Sequence, residues 1–141
     1  LFVGPQALEA APFASVYLDN EATVMGPTTM MVRSVYEMAG LISPWKNSLP
    51  EDHISLELDA AMAMRLAAAR VESPELTDIQ HFFICGHMGR WLPLFHERVA
   101  GARSAHPAVT EAARLTSAWA DAEGAAINNK AKQTILNWRM A

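Results

Sequence analysis

Pro50-Glu51-Asp52-His53-Ile54 places two carboxylates and an imidazole directly after a proline, where a loop gives way to a long segment with helical periodicity. Ser48, followed three residues later by Glu51, forms a capping box in which each side chain bonds the backbone N–H of the other residue. Proline is tolerated in a first helical turn because its missing N–H would be unsatisfied there anyway. The pattern therefore predicts a helix that begins near Glu51 with Ser48 as its N-cap.

Helical patterns also occupy most of the chain on either side of this stretch. Apolar residues at helical spacing continue the central helix to about Arg70. Residues 1–27 are interpreted as loop with short helical pieces. Further helices are predicted from Pro27 or Thr28 to about Ala39 with Gly40 as C-cap, from Ser73-Pro74 to Gly89, from Arg90 to Ala102 with Pro93 in the first turn, and from His106-Pro107 with a break at Gly124. About six helices without a convincing set of strands predict an all-α fold.

Composition narrows the class of protein. The chain has 141 residues, 51% of them hydrophobic and 18% charged, which predicts one globular domain and not a disordered chain. No apolar stretch reaches the roughly 18 residues of a membrane span, so no membrane insertion is expected. A net charge of −4 without a basic stripe argues against nucleic acid as a partner. Cys85 is the one cysteine, which excludes an intrachain disulfide and fits a reducing compartment.

Glu51 and Asp52 are candidate binding residues. In the first turn of a helix, adjacent side chains point about 100° apart, so these carboxylates would not converge on one atom as a catalytic pair does. Two diverging carboxylates are better suited to accept guanidinium groups in bidentate, charge-assisted pairs. His53 would add a contact that titrates near neutral pH. The alternative is that these residues only cap a helix and carry surface charge.

Four aromatic residues are candidates for the walls of a groove that would take an apolar peptide segment: Phe13, Tyr17, Trp45 and Trp91. The alternative is that they are ordinary core residues. Trp45 lies in the loop five residues before Pro50, where a core role is less automatic.

A metal-dependent or Cys/His enzyme is the rival hypothesis, with His81, Cys85, His87 and His96 as its residues. No recognised zinc spacing is present, and no signature of a nucleophile flanks Cys85 beside His53 or His87. The alternative is a small core cysteine with histidines between helices. We therefore expect neither a metal site nor catalytic residues.

Four motifs in order along the chain resemble those of the TorD/DmsD family of cytoplasmic molybdoenzyme chaperones. Their family patterns are L-F-x-G-P, A-P-P-W-x-S-V-Y/W-L, P-x-D-H and H-L-x-x-W-x-P-x-F. The matching stretches are Leu1-Phe2-Val3-Gly4-Pro5, the run from Ala11 to Leu18, Pro50-Glu51-Asp52-His53 with Glu57 close behind, and the run from His87 to Phe95. One proline and the tryptophan of the second motif are Ala11 and Phe13 here, so the aromatic platform is kept but smaller.

The resemblance implies an all-helical, non-enzymatic chaperone without a resident metal. Such a protein would bind the twin-arginine signal peptide of a molybdenum-containing reductase and hold the precursor in the cytoplasm until its cofactor is inserted. Asp52 and His53 would act in peptide binding, guanine nucleotide is a possible ligand, and a homodimer with exchanged domains is a possible assembly. On this interpretation Asp52→Ala with His53→Ala weakens binding of the leader without unfolding the protein.

The extent of the resemblance is a separate expectation. Members of the family carry some fifty or more residues before the first motif, so residues 1–141 are expected to be the larger, C-terminal part of a longer chain, without the family's N-terminal helices. No family motif matches the sequence after Gly124.

Overall fold

Helices build the part of the chain that the computed structural model describes, residues 9–21, 24–45 and 48–140. They are α1 (Ser15–Leu18), α2 (Pro27–Met38), α3 (Ile54–Arg70), α4 (Pro74–His81), α5 (Gly89–Gly101) and α6 (Pro107–Met140), with a π-helical segment, Phe82–Met88, between α4 and α5. The described ranges contain no strand, only an isolated antiparallel bridge between Phe13 and His53. The predicted all-α class is confirmed, whereas the first motif, residues 1–5, lies outside the described residues.

The start of α3 differs from the prediction. The helix begins at Ile54 with His53 as N-cap, so the predicted start near Glu51 with Ser48 as N-cap is wrong. The cause is the bridge to Phe13: Asp52 C=O accepts the Ala14 N–H at 3.0 Å, and the Ile54 N–H donates to Pro12 C=O at 2.9 Å. Pairing with residues 12–14 therefore holds the backbone at His53 extended, and the helix starts after it.

The predicted boundary near Gly89 is also wrong, because helical backbone runs without a gap from Pro74 to Gly101. The π-helical segment contains Gly86 and ends one residue before Gly89, and Pro93 lies inside α5 instead of in a first turn. Phe83 and Trp91, on either side of the boundary, are fully buried. Burial of large apolar side chains outweighs the low helix propensity of glycine, at about 1 kcal/mol per residue.

The predicted break at Gly124 is wrong, because α6 continues through this residue, which is buried. A Cβ at this position would lie 2.7 Å from Cys85 Sγ, closer than real Cβ atoms approach another side chain. Glycine is therefore present because α6 passes very near the π-helical segment, and not because the chain turns.

The core is formed where α2, α3, the π-helical segment, α5 and α6 meet. Its largest fully buried apolar side chains are Val32, Val35, Met64, Phe83, Ile84, Met88, Trp91, Leu92 and Val99. The loop of residues 11–14 is also buried against this core through Ala11 and Ala14, which brings the second sequence motif next to the third. No helix within the described ranges has the length and apolarity that a membrane crossing requires.

Candidate functional site

Asp52 is buried and links three helices through the hydrogen bonds of its carboxylate. Its Oδ2 accepts the Ser15 N–H at 2.8 Å, and its Oδ1 accepts the Thr29 hydroxyl at 2.8 Å. The residue is fully buried, and it ties the first residue of α1 and the first turn of α2 to the segment before α3. Both carboxylate oxygens already hold donors from the chain itself. The prediction that Asp52 is open to a guanidinium group of a peptide is therefore wrong.

Glu51 binds a guanidinium group, but that group belongs to the protein. Arg33 on α2 donates from Nε to Oε1 and from Nη2 to Oε2, both at 2.9 Å. Glu51 is 4% exposed, and its backbone C=O accepts the Tyr36 hydroxyl at 2.9 Å. Hydrogen bonding to Glu51 raises the pKa of Arg33 above its ordinary value. The chemistry predicted for Glu51 is present, and its partner is internal.

His53 differs from its two neighbours because part of its ring reaches solvent. Its Nδ1 accepts the Ser55 N–H at 3.2 Å, so the proton of the neutral ring lies on Nε2. The ring meets Phe13 edge-on, with 5.1 Å between centroids and 74° between planes. Burial lowers the pKa of His53, and the charge of Asp52 opposes that shift. The neutral ring caps α3 and leaves its Nε2–H as a donor.

An apolar cavity of about 260 Å³ opens beside His53. It lies between the start of α3, α5 and the first turns of α6, and its other lining residues are Pro12, Ile54, Phe95, Val109, Ala112, Ala113 and Thr116. A recess lined by apolar side chains with a few polar groups at the edge is the common form of a ligand site. His53 supplies the titratable polar group of this site.

Trp91 and Tyr17 do not line that cavity. Trp91 is fully buried, and its indole N–H donates to Glu57 Oε2 at 2.9 Å, so the prediction that Trp91 forms a groove wall is wrong. Tyr17 stacks on Trp91 with 5.8 Å between centroids and donates its hydroxyl to Ala11 C=O at 2.9 Å. Burial raises the pKa of Tyr17 to about 12. Tyr17 instead lines a separate cavity of about 710 Å³ that includes Arg98 on α5.

Trp45 is 59% exposed in the loop after α2 and lines neither of these cavities.

The structure brings together four of the seven predicted site residues, Phe13, Glu51, Asp52 and His53, around the bridge. Peptide binding by any of the seven stays a prediction.

A buried cluster of Glu57, His87 and Trp91 was not singled out by sequence reasoning. His87 Nε2 lies 2.6 Å from Glu57 Oε1, and both side chains are almost fully buried. Burial raises the pKa of Glu57, while the hydrogen bond from His87 opposes the shift. His87 Nδ1 has no hydrogen-bond partner among the described residues. His87 Nε2 is the ring nitrogen that faces the Glu57 carboxylate, so an N–H at this position donates to Glu57 Oε1.

The same geometry bears on the enzyme alternative. His87 is bonded to Glu57, and Cys85 packs against Gly124. Within the described ranges, no three His, Cys, Asp or Glu side chains are grouped so that they would hold a metal ion. Burial raises the pKa of the Cys85 thiol, which disfavours the thiolate that a nucleophile requires. His81, Cys85, His87 and His96 therefore do not form the predicted alternative site.

The described residues thus form an all-α scaffold in which the buried Asp52 carboxylate lies close to an apolar recess. The sequence matches the family described as "Nitrate reductase delta subunit" over residues 1–97. The chain belongs to this family, to which the TorD/DmsD chaperones are assigned, and the resemblance inferred from the four motifs is confirmed.

Several curated proteins are similar to the chain. It is 31% identical over 102 residues to Chaperone protein TorD of Vibrio cholerae serotype O1, covering 70% of this chain and 46% of that protein. It is 31% identical over 121 residues to Tat proofreading chaperone DmsD of Salmonella typhi, covering 84% of this chain and 55% of that protein. A 62-residue stretch is 40% identical to Tat proofreading chaperone DmsD of Salmonella typhimurium, 43% of this chain and 30% of the relative.

The chain spans about half the length of the curated relatives TorD and DmsD that it matches. No solved structure matches it. The relatives are named as chaperones, which supports the non-enzymatic interpretation and not the metal-dependent or Cys/His alternative.

Proposed function

We propose that this protein is a cytoplasmic maturation chaperone that binds the twin-arginine signal peptide of a molybdenum-containing oxidoreductase precursor. It would hold the precursor until the cofactor is inserted and then release it for export. The names of the relatives, a chaperone and a Tat proofreading chaperone, support this role. Binding and release require reversible contacts, and neither needs a catalytic group.

The observation that carries the proposal is the placement of His53. The buried carboxylate of Asp52 fixes the segment before α3, and the next residue lies at the edge of the 260 Å³ apolar cavity. An apolar segment of a peptide would enter this cavity, while the His53 Nε2–H would donate to a backbone carbonyl of the peptide. Phe13 contacts the His53 ring edge-on.

Calorimetry with a synthetic peptide tests the proposal. The peptide carries two consecutive arginines followed by an apolar run, and the variant is His53→Asn, because asparagine is a good N-cap that preserves the start of α3. Loss of one well-packed contact predicts an affinity reduced by about fivefold or more. His106→Asn is the matched control, since His106 Nδ1 accepts the Ala108 N–H at the start of α6 in the same way, at 3.2 Å. Equal affinities in the wild type and both variants would exclude the His53 site.

Three further expectations rest on the resemblance alone and stay predictions: binding of guanine nucleotide, a homodimer with exchanged domains, and a chaperone domain that extends over residues 1–141. Equilibrium dialysis with guanosine nucleotides tests the first of them, and light scattering tests the second.

A further inference from the structure

A second surface with apolar and acidic character lies on the other side of the Pro50–Ile54 stretch. Around the loop that joins α2 to α3, Met38, Ile42 and Trp45 are 63%, 85% and 59% exposed. We call this surface the α2–α3 face and define it by these three residues and the two cavities beside them. Large apolar side chains that stay exposed beside a recess are a feature of docking surfaces.

Two adjoining cavities lie beneath the exposed loop, and both are lined by Tyr36, Leu41, Ile42 and Ser43. The larger has a volume of about 140 Å³ and is mainly apolar, with Leu56, Ala60 and Ala63 of α3 in its wall and Asp59 beside them. The smaller has a volume of about 80 Å³ and is completed by Arg33, Glu37 and Glu51. A bound peptide could therefore place an apolar side chain in the larger cavity and a neighbouring polar side chain in the smaller one.

The charge of this face selects a basic occupant. Its two cavities hold three carboxylates, those of Glu37, Glu51 and Asp59, against one guanidinium group, that of Arg33, which leaves a formal charge of −2. Arg33 binds Glu51 in a bidentate pair, which shows that a guanidinium group fits beside this wall. Glu37 and Asp59 are exposed, so an incoming cation can reach both.

We propose that the α2–α3 face receives the arginine-bearing part of the client signal peptide, with guanidinium groups against Glu37 and Asp59 and an adjacent apolar side chain in the 140 Å³ cavity. This inference rests on the proposed function and adds the place where the arginines bind. Glu51 lines the α2–α3 face and His53 lines the 260 Å³ cavity, with only Asp52 between them. One peptide would therefore pass over the segment that Asp52 fixes, arginines on one side and apolar run on the other.

The experiment is a double-mutant cycle between protein and peptide, followed by calorimetry. The protein variant is Glu37→Gln with Asp59→Asn, which removes charge and keeps shape. Its control is Glu72→Gln with Asp121→Asn, the same change of charge at exposed positions outside both cavities. The peptides are the twin-arginine peptide and a copy with glutamine in place of both arginines.

The charge variant should bind the twin-arginine peptide about tenfold more weakly than the wild type, since two charge pairs are lost. Its affinity for the glutamine peptide should stay within about twofold of the wild-type value. The control variant should match the wild type with both peptides. Equal losses for both peptides, or no loss while His53→Asn still weakens binding, would overturn the inference and leave the proposed function standing. A wild-type protein that binds neither peptide would overturn both.

Filling the apolar cavity with a larger side chain is a second, independent test of where the peptide binds. Ala63→Leu places a larger side chain in the 140 Å³ cavity, and Ala69→Leu makes the same change at an exposed position of α3. Ala63→Leu should weaken binding of the twin-arginine peptide by about fivefold or more, whereas Ala69→Leu should not. Equal affinities for the two variants would contradict the placement of an apolar side chain in this cavity.

Discussion

Replacing Asp52 with alanine should make the protein easier to unfold, because the carboxylate holds three elements together. The expectation from the sequence that Asp52→Ala leaves the fold intact is therefore wrong. The Ser15 N–H and the Thr29 hydroxyl both donate to it at 2.8 Å in a fully buried environment. Alanine leaves both donors without an acceptor. Each buried unpaired donor costs about 1–3 kcal/mol, so Asp52→Ala should lower the free energy of unfolding by about 4 kcal/mol.

Asp52→Asn separates the loss of charge from the loss of hydrogen bonds. The amide oxygen can still accept the Ser15 N–H, and the amide nitrogen can donate to Thr29, whose hydroxyl also accepts hydrogen bonds. The expected cost is therefore only about 1 kcal/mol.

Urea denaturation measures both changes. With a slope of about 2 kcal/mol per molar urea, the midpoint should fall by about 2 M for Asp52→Ala and by about 0.5 M for Asp52→Asn. Asp52→Ala with a midpoint within about 0.5 M of wild type would refute the reasoning, because Asp52 would then not hold the fold.

Two further predictions concern His53 and Gly124. Burial lowers the pKa of His53 from 6.5, so its contribution to stability should be complete above about pH 6.5 and be lost as the pH falls through the lowered value; a ring titration by NMR that gives a pKa of 6.5 or higher would contradict this. Gly124→Ala should gain about 1 kcal/mol of helix propensity only in a Cys85→Ala background, because Sγ lies 2.7 Å from the new Cβ in the wild type. Stabilisation by the same amount in both backgrounds, measured by urea denaturation, would show that the contact is not tight.

The sequence predicted the helices well and their ends poorly. Apolar periodicity is a local property, so it located α2, α3 and the helical residues from 74 to 101. The low helix propensity of glycine predicts helix ends at Gly89 and Gly124, which the structure does not have. Burial beside Phe83 and Trp91 holds the first region helical, and Gly124 meets Cys85, a residue 39 positions away. Long-range contacts of this kind leave no local signal.

The candidate site shows the same limit in its chemistry. The sequence predicts that Glu51 binds a guanidinium group, and it does so in the structure. The partner, however, is Arg33 of the same chain, 18 residues away. The sequence favours an Asp52 carboxylate that a peptide can reach, because the start of a helix is usually exposed, whereas the structure buries Asp52 beside the bridge between Phe13 and His53. The family motifs include fully buried residues such as Asp52 and Trp91. The motifs therefore indicate the fold more directly than they indicate where a peptide would bind.

Asp52 holds the fold, whereas its neighbour His53 contacts the client in the proposed function, and one comparison of variants tests this difference. The twin-arginine peptide is titrated calorimetrically into Asp52→Asn and His53→Asn, under conditions where both variants are fully folded. Asp52→Asn should bind within about threefold of wild type, while His53→Asn should lose about fivefold or more. A stable Asp52→Asn protein that loses more affinity than His53→Asn would contradict the account, because the buried carboxylate would then act on the peptide itself.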